Sequence, residues 1–157
     1  MRAFLKDRVI QGLIAGIAGS IPQLAFSLTV YWLFHFQKLQ FYQFAGILAF
    51  NHRPIGLGEI LFSESIVLGQ MAVYGILFTQ LLAIIARSNL LLKGAMFGGF
   101  CWYTTYVLAT LYKTKGIHGV MDFPTAVTNL IASAIWGVAM AWIFQFLHRR
   151  YGIENKI

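Results

Sequence analysis

Four long apolar runs set the pattern of hydrophobic and polar positions along the 157-residue chain, and none of them contains a charged residue. The runs cover Val9–Phe34, Ile66–Ala86, Gly94–Tyr112 and Thr125–Leu147. A helix of about 20 apolar residues crosses the roughly 30 Å hydrocarbon core of a bilayer. The pattern therefore predicts an all-α integral membrane protein that folds as a four-helix bundle.

We expect one transmembrane domain over residues 1–157. Its predicted spans are at about residues 9–34, 60–86, 94–112 and 125–147. The second span begins ahead of its apolar run, because Gly58 and Glu59 mark a helix start. The first run follows basic residues, as a secretory signal does, but it is too long and lacks a small-residue cleavage site, so we interpret it as a retained span.

Composition agrees with a membrane protein. The chain is 59% hydrophobic and 11% charged, whereas soluble domains are about 25% charged. A soluble helical protein would also need a polar face on each helix, and the third and fourth runs carry only scattered Thr, Ser, Asn and Gln. These observations argue against a soluble globular domain.

The distribution of Lys and Arg predicts the orientation. In a four-span protein, both termini and the connection between spans 2 and 3 share one side, which holds Arg2, Lys6, Arg8, Arg87, Lys93, Arg149, Arg150 and Lys156. The opposite side holds Lys38, Arg53, Lys113 and Lys115. The positive-inside rule then places both termini in the cytoplasm of a multi-pass protein of the cytoplasmic (inner) membrane. Anionic lipid headgroups are the expected partner of the basic side. Nucleic-acid binding is not expected, because the sequence has no basic stripe interleaved with aromatic residues.

Residues 36–65 form the longest connection and are too hydrophobic for a solvated loop. Polar Lys38, Gln40, Gln43 and Asn51 alternate with apolar residues at helical spacing, which predicts an amphipathic helix in the outer interface between spans 1 and 2. Pro54 and the two residues before it should end this helix. The next connection, residues 87–93, is brief, so we expect spans 2 and 3 to pack as antiparallel neighbours.

Small residues recur at four-residue spacing in three of the spans. They are Gly12, Gly16 and Ser20 in the first, Gly94 and Gly98 in the third, and Ser133, Gly137 and Ala141 in the fourth. Small faces let two helix backbones approach closely. Packing inside the bundle is one interpretation; association with a second copy or with a partner membrane protein is the other. The pairs Tyr74-Gly75 and Trp136-Gly137 echo each other, which indicates a duplicated helix pair or chance similarity between apolar sequences.

Five polar side chains lie at predicted membrane depth: Gln23, Gln70, Thr104, Thr105 and Asn129. Three of the five are amides, and these form the possible polar pathway. Pro22 removes a backbone hydrogen bond beside Gln23 and should kink the first span. Interhelical hydrogen bonding is one role for the three amides. A polar path beside a kinked helix, as in transporters, is the alternative.

Titratable groups gather on the predicted outer side, where Arg53, Glu59, Glu64, His118 and Asp122 form a possible outer-face site. The His/carboxylate spacing does not match a zinc motif, and we expect no metal and no other cofactor. Asp122 suits the N-terminal cap of the fourth span, Glu59 suits the start of the second, and Arg53 is the expected ion-pair partner of Glu64. Tyr and Trp residues near the span ends, Trp102 among them, are expected to form an interfacial belt.

A resemblance spans most of the chain. It rests on Arg53-Pro54 and Glu59 before the second span, Lys93-Gly94, Gly98 and Trp102 in the third, and Asp122, Thr125-Ala126, Asn129 and Trp136-Gly137 in the fourth. In these features the chain resembles a group of small four-span bacterial membrane proteins common in Firmicutes. The resemblance implies a bacterial cytoplasmic-membrane location and a four-helix fold, and it implies no activity.

Three functions remain open from the sequence. The first is a non-enzymatic membrane component that acts by helix–helix association with itself or with another membrane protein. The second is a small transporter or channel subunit that uses the polar path. The third is a membrane enzyme with its chemistry at the outer-face site.

Overall fold

The computed structural model describes residues 7–85, 88–111 and 121–151, and every regular element in this part of the chain is helical. The helices are α1 (Arg8–Thr29, continued by a π-helical segment, Val30–Phe34), α2 (Phe41–Phe50), α3 (Gly56–Ile84), α4 (Leu90–Leu111) and α5 (Phe123–Tyr151). By length and composition α1 with its extension, α3 and α5 can each cross a membrane. The 22-residue α4 spans about 33 Å, but it is not among these candidate spans. The all-α prediction with long apolar helices is confirmed.

The connection between α1 and α3 contains a helix, as predicted, but that helix is shorter and less amphipathic than expected. Lys38 and Gln40 precede α2, and Asn51 ends it with a φ of 62°. Lys38 and Gln40 of the predicted polar face therefore lie before the helix, and Asn51 lies at its C-terminal end. Within α2 the side chains are largely apolar, and residues 44–47 are buried.

Glycines bring α1 and α3 into close contact. A Cβ atom built at Gly12 would lie 2.6 Å from Thr79 Oγ1 and 2.7 Å from the Gly75 carbonyl oxygen. A Cβ atom built at Gly75 would lie 2.8 Å from Gly16 Cα. Carbon atoms in contact normally stay about 3.5–4.0 Å apart, so only glycine permits this spacing.

The second helix pair, α4 and α5, is built in the same way. A Cβ atom at Gly94 would lie 2.6 Å from Ala141 Cβ, and a Cβ atom at Gly98 would collide with the carbonyl oxygen of Ser133. Gly137 faces both Gly94 and Gly98. The predicted small faces are thus packed inside one chain, which is the packing interpretation, and they are not open to a second copy.

The two pairs join through α1 and α5. Trp136 Nε1 donates a hydrogen bond of 2.8 Å to the Gly16 carbonyl oxygen, and a Cβ atom at Gly19 would lie 3.0 Å from the Met140 backbone nitrogen. The prediction that spans 2 and 3 pack as close neighbours is wrong. Despite their short connection, α3 packs on α1 and α4 packs on α5. The glycines supply the close contacts, whereas the bulky ring of Phe97 lies between α4 and α3, 5.2 Å from the ring of Phe78.

Candidate functional site

A half-enclosed cleft of about 270 Å³ lies in the gap between α3 and α4, with α2 along one wall. Apolar side chains form most of its lining, among them Phe41, Phe44 and Leu48 of α2, Met71 of α3, Trp102 of α4 and Trp136 of α5. Gln70, Tyr74, Cys101, Thr105 and Ser133 contribute polar atoms. Ligand sites in proteins are commonly concave and apolar, with a few convergent polar groups.

Aromatic contacts hold the walls of the cleft in place. Trp102 lies edge-on to Phe41 and Phe44, at ring-centroid distances of 5.9 and 5.8 Å, and stacks on Tyr106 at 5.7 Å. The contacts of Phe41 and Phe44 with Trp102 join α2 to α4 at the wall of the cleft. At the base, Tyr74, Phe97 and Trp136 pack around one another. Edge-on and offset ring pairs add about 0.5–1.5 kcal/mol each beyond burial, so the cleft has a rigid frame.

One hydrogen-bonded group supplies the polarity of the cleft. Gln70 Nε2 donates to Tyr74 Oη (2.9 Å) and lies 3.3 Å from Thr105 Oγ1. The Thr105 hydroxyl donates to the Cys101 carbonyl oxygen at 2.8 Å, so it accepts from Tyr74, which lies 3.2 Å away. Gln70 Oε1 makes no hydrogen bond with any residue that the structure describes. This oxygen is therefore an open acceptor beside an apolar surface.

None of the residues that line the cleft is charged. A charged ligand placed there would lose its hydration and gain no counter-ion, which costs several kcal/mol or more. The lining instead fits an uncharged molecule that is mainly apolar and carries a hydrogen-bond donor for Gln70.

The three amides of the predicted polar path lie in different surroundings. Gln70 lines the cleft, Gln23 lines a smaller cavity beside α1 and α3, and Asn129 lies elsewhere in a buried network. Pro22 lies within α1, and the helix continues through it to Thr29.

Asn129 belongs to a network that attaches the segment before α2 to α5. Gln37 Nε2 donates to Asn129 Oδ1 (2.6 Å), and Gln37 Oε1 accepts from Ser27 Oγ (2.8 Å). Asn129 Nδ2 in turn donates to the Leu39 carbonyl oxygen (3.3 Å). Gln37, Ser27 and Asn129 are all buried, and buried polar groups are almost always hydrogen-bonded. In this network each side chain supplies a hydrogen-bond partner for another.

Asp122 caps α5, as its position in the sequence indicates. Its Oδ1 accepts from the Thr125 backbone N–H (3.1 Å), and its Oδ2 lies 2.7 Å from Lys38 Nζ. Hydrogen bonds from Lys38 and from Thr125 lower the pKa of Asp122 to about 2. The carboxylate is thus a structural cap that joins α5 to the segment before α2.

The other outer-face residues are dispersed. Glu59 Oε2 accepts from the Ile55 backbone N–H (2.7 Å) at the start of α3, the role expected of it. The expected ion pair between Arg53 and Glu64 is not formed, because Arg53 Nη2 reaches the Lys38 carbonyl oxygen instead (3.4 Å). Glu64 lies further along α3 and lines the smaller cavity with Gln23.

His118 lies outside the described residues. Within residues 7–85, 88–111 and 121–151, no group of three His, Cys, Asp or Glu side chains is placed to hold a metal ion.

Sequence reasoning assigned Trp102 to an interfacial belt, whereas the structure buries it in the cleft with 8% of its surface exposed. The position of Trp102 well inside the third span is the signal that the belt interpretation overlooked. Trp102 comes eight residues after Gly94, about 12 Å along a helix, while belt residues lie at the membrane–water interfaces. No comparable signal marks Gln37, whose role depends on the path of an irregular segment.

Comparison with known proteins places the chain in a family without giving it an activity. No curated protein and no solved structure matches the sequence. A family model does match residues 6–154, and the chain therefore belongs to that family, described as a family of unknown function (DUF6789).

Proposed function

We propose that this protein is a non-enzymatic, four-span component of the bacterial cytoplasmic membrane that binds a small, uncharged, mainly apolar molecule in the cleft between α3 and α4. The observation that carries the proposal is the combination of an uncharged aromatic cleft with the open acceptor Gln70 Oε1. A neutral ligand with a hydroxyl or amide N–H would donate to Gln70 Oε1, and its apolar part would contact Trp102 and Phe44.

Two features support a fourth span in α4. Met96, Phe100 and Tyr103 of α4 are exposed, and large apolar side chains on the outside of a helix are stable in lipid and costly in water. The helix is also about as long as the hydrocarbon core is thick. Lipid, including anionic headgroups at the basic end, is the partner that this surface fits. A second copy or another membrane protein would have to use the apolar outer surfaces, since the glycine faces are occupied within the chain.

The position of the described basic residues supports cytoplasmic termini. The start of α1 and the end of α5 lie at one end of the helices, where Gln11 contacts His148. Arg8, Arg149 and Arg150 lie at that end, whereas Lys38 precedes α2 at the opposite end. With Cys101 replaced by alanine, we expect a membrane-impermeant thiol reagent applied to intact cells to label a cysteine introduced at Gly116 and not one introduced at Gly152. Labelling at 152 alone would reverse the orientation.

A photoreactive long-chain alcohol, with a diazirine next to its hydroxyl, tests the cleft. The purified full-length chain in nanodiscs is irradiated with increasing amounts of the probe, and the labelled peptides are identified by mass spectrometry. We expect saturable labelling of cleft residues in α2, α3 and α4 that excess unlabelled alcohol suppresses. Labelling spread over the lipid-facing side chains, without saturation or competition, would contradict the proposal.

A matched pair of variants assigns the polar contact. Gln70→Leu removes the acceptor inside the cleft, and a net hydrogen bond of about 0.5–1.5 kcal/mol corresponds to roughly a two- to tenfold loss of apparent affinity. Gln80→Leu makes the same chemical change on the exposed side of α3 and should leave labelling unchanged. Equal effects of the two variants would exclude Gln70 as the ligand contact.

A further inference from the structure

A second, smaller cavity of about 60 Å³ lies between α1, α3 and the start of α2, on the other side of Val67 and Phe41 from the cleft. Several of its lining residues carry side-chain oxygen atoms. They are Ser20, Gln23 and Ser27 of α1, Gln40 and Tyr42 beside them, and Glu64 of α3. Its volume exceeds the roughly 10–15 Å³ that one water molecule requires, so the cavity has room for a small hydrophilic occupant.

Gln23 is the first sign that the cavity binds a small species. Its side chain is 3% exposed, and neither Oε1 nor Nε2 has a hydrogen-bond partner among the described residues. A buried amide without a partner costs about 1–3 kcal/mol, and buried polar groups in native proteins are almost always satisfied. Because Gln23 lines the cavity, a bound species there would supply the missing contact.

Glu64 is the second sign, and it is independent of the first. This carboxylate is half-buried on α3, eight residues after Gly56, or about 12 Å along the helix. It forms no hydrogen bond and no ion pair within residues 7–85, 88–111 and 121–151. A carboxylate near the boundary of the hydrocarbon is costly unless it is paired or solvated.

The hydroxyl groups point to the charge of the occupant. The Ser20 hydroxyl donates its proton to the Ile17 carbonyl oxygen (2.6 Å), and the Ser27 hydroxyl donates to Gln37 Oε1 (2.8 Å). Both serine oxygens therefore offer only lone pairs to the cavity. Lone pairs from the serines, the Gln23 carbonyl and the Glu64 carboxylate are therefore available to a hard cation, while Gln40 and Tyr42 add donor groups to the same lining.

We propose that this cavity binds one small monovalent cation, held by Glu64 and Gln23 Oε1 with serine oxygens completing its coordination. One carboxylate and one monovalent ion give a neutral site, whereas a divalent ion would leave a net positive charge among apolar helices. The site is distinct from the cleft, so its test does not depend on the proposed function.

Equilibrium binding of radioactive ²²Na⁺ to the full-length chain in phosphatidylcholine nanodiscs tests the proposal, with choline holding the ionic strength constant. We expect saturable binding of about one ion per chain that unlabelled Na⁺ displaces. Glu64→Gln and Gln23→Leu should each weaken it at least tenfold. Glu59→Gln and Gln80→Leu make the same changes on α3 outside the cavity, and they should retain binding.

Thermal unfolding of the wild-type protein gives a second readout that needs no variant. A ligand that binds the folded state raises Tm with its concentration, so Tm should rise when Na⁺ replaces choline, and Glu64→Gln should abolish that rise while remaining folded. If ²²Na⁺ does not bind saturably and Tm is the same in Na⁺ and choline, the cavity holds water only and the proposal is wrong. Saturable binding that survives both Glu64→Gln and Gln23→Leu would also overturn it.

Discussion

Replacing Gly75 with alanine tests the close contact that joins α1 to α3. The added methyl carbon would lie 2.8 Å from Gly16 Cα and 2.9 Å from Gly16 N, and it would collide with the Gly12 carbonyl oxygen. All three atoms belong to the backbone, so no side chain can rotate away. Because non-bonded carbon atoms settle about 3.5–4.0 Å apart, the two helices must separate by about 1 Å.

Two effects of opposite sign determine the magnitude. Forcing an extra methyl group into a packed contact costs about 1–3 kcal/mol, while alanine in a helix interior gains up to about 1 kcal/mol over glycine. Gly69→Ala isolates the second effect, because Gly69 lies on the same helix and a Cβ atom there meets nothing within 4 Å. We therefore expect Gly75→Ala to be less stable than Gly69→Ala by about 1–3 kcal/mol.

The free energy of unfolding can be measured in mixed micelles by titration with a denaturing detergent, followed by far-ultraviolet circular dichroism. Gly137→Ala should lose a similar amount, since Gly137 meets Gly94 and Gly98 as Gly75 meets Gly12 and Gly16. Equal stability of Gly75→Ala and Gly69→Ala would refute the packing argument. A change in oligomer size with unchanged stability would instead favour the self-association interpretation of the glycine faces.

Two further predictions concern the polar contacts around α5. Lys38 and Thr125 lower the pKa of Asp122 to about 2, so the stabilising contribution of its carboxylate should be complete above about pH 4 and lost as the pH falls towards 2. Asp122→Asn should flatten the dependence of the unfolding free energy on pH in that window. An unchanged acid transition in Asp122→Asn would contradict the assignment. Gln37→Leu should lower the free energy of unfolding by about 1–3 kcal/mol in the same detergent titration, because Asn129 and Ser27 each lose a buried hydrogen bond. An unchanged free energy of unfolding would show that water replaces the amide.

The sequence predicts the helices well because their signals are local. Apolar runs and the carboxylate of Asp122 before α5 each act within a few residues. Arg53 shows where local reasoning ends. Its charge suggested a partner in Glu64, yet the geometry of the connection directs it to the Lys38 carbonyl oxygen.

The pairing of the helices could not be predicted from the sequence. Four-residue spacing identifies Gly94 and Gly98 as a close-packing face, but it does not say which helix the face meets. Connection length suggested α3, whereas the matching small residue, Gly137, is on α5. The cleft was missed for the same reason, since it exists only where two helices that are consecutive along the chain fail to pack together.

The cleft arises because two similar helix pairs differ at the residues beside their glycines. Gly12 and Gly16 meet Gly75 in one pair, just as Gly94 and Gly98 meet Gly137 in the other. A fully symmetric arrangement would make the α3–α4 contact as close as the α1–α5 contact. The residue before Gly16 is the fully buried Ala15, which lets α5 approach α1, whereas the residue before Gly98 is Phe97.

The residue three positions after Gly16 in α1 is likewise smaller than the residue three positions after Gly98 in α4. They are Gly19 in α1, which lies against the Met140 backbone, and Cys101 in α4, which lines the cleft. The small residues of α1 therefore allow α1 and α5 to pack closely, whereas the larger residues of α4 keep α3 and α4 apart. Since close packing of both sides would be the more compact solution, the larger residues of α4 are the feature that creates an internal surface on which a ligand can bind.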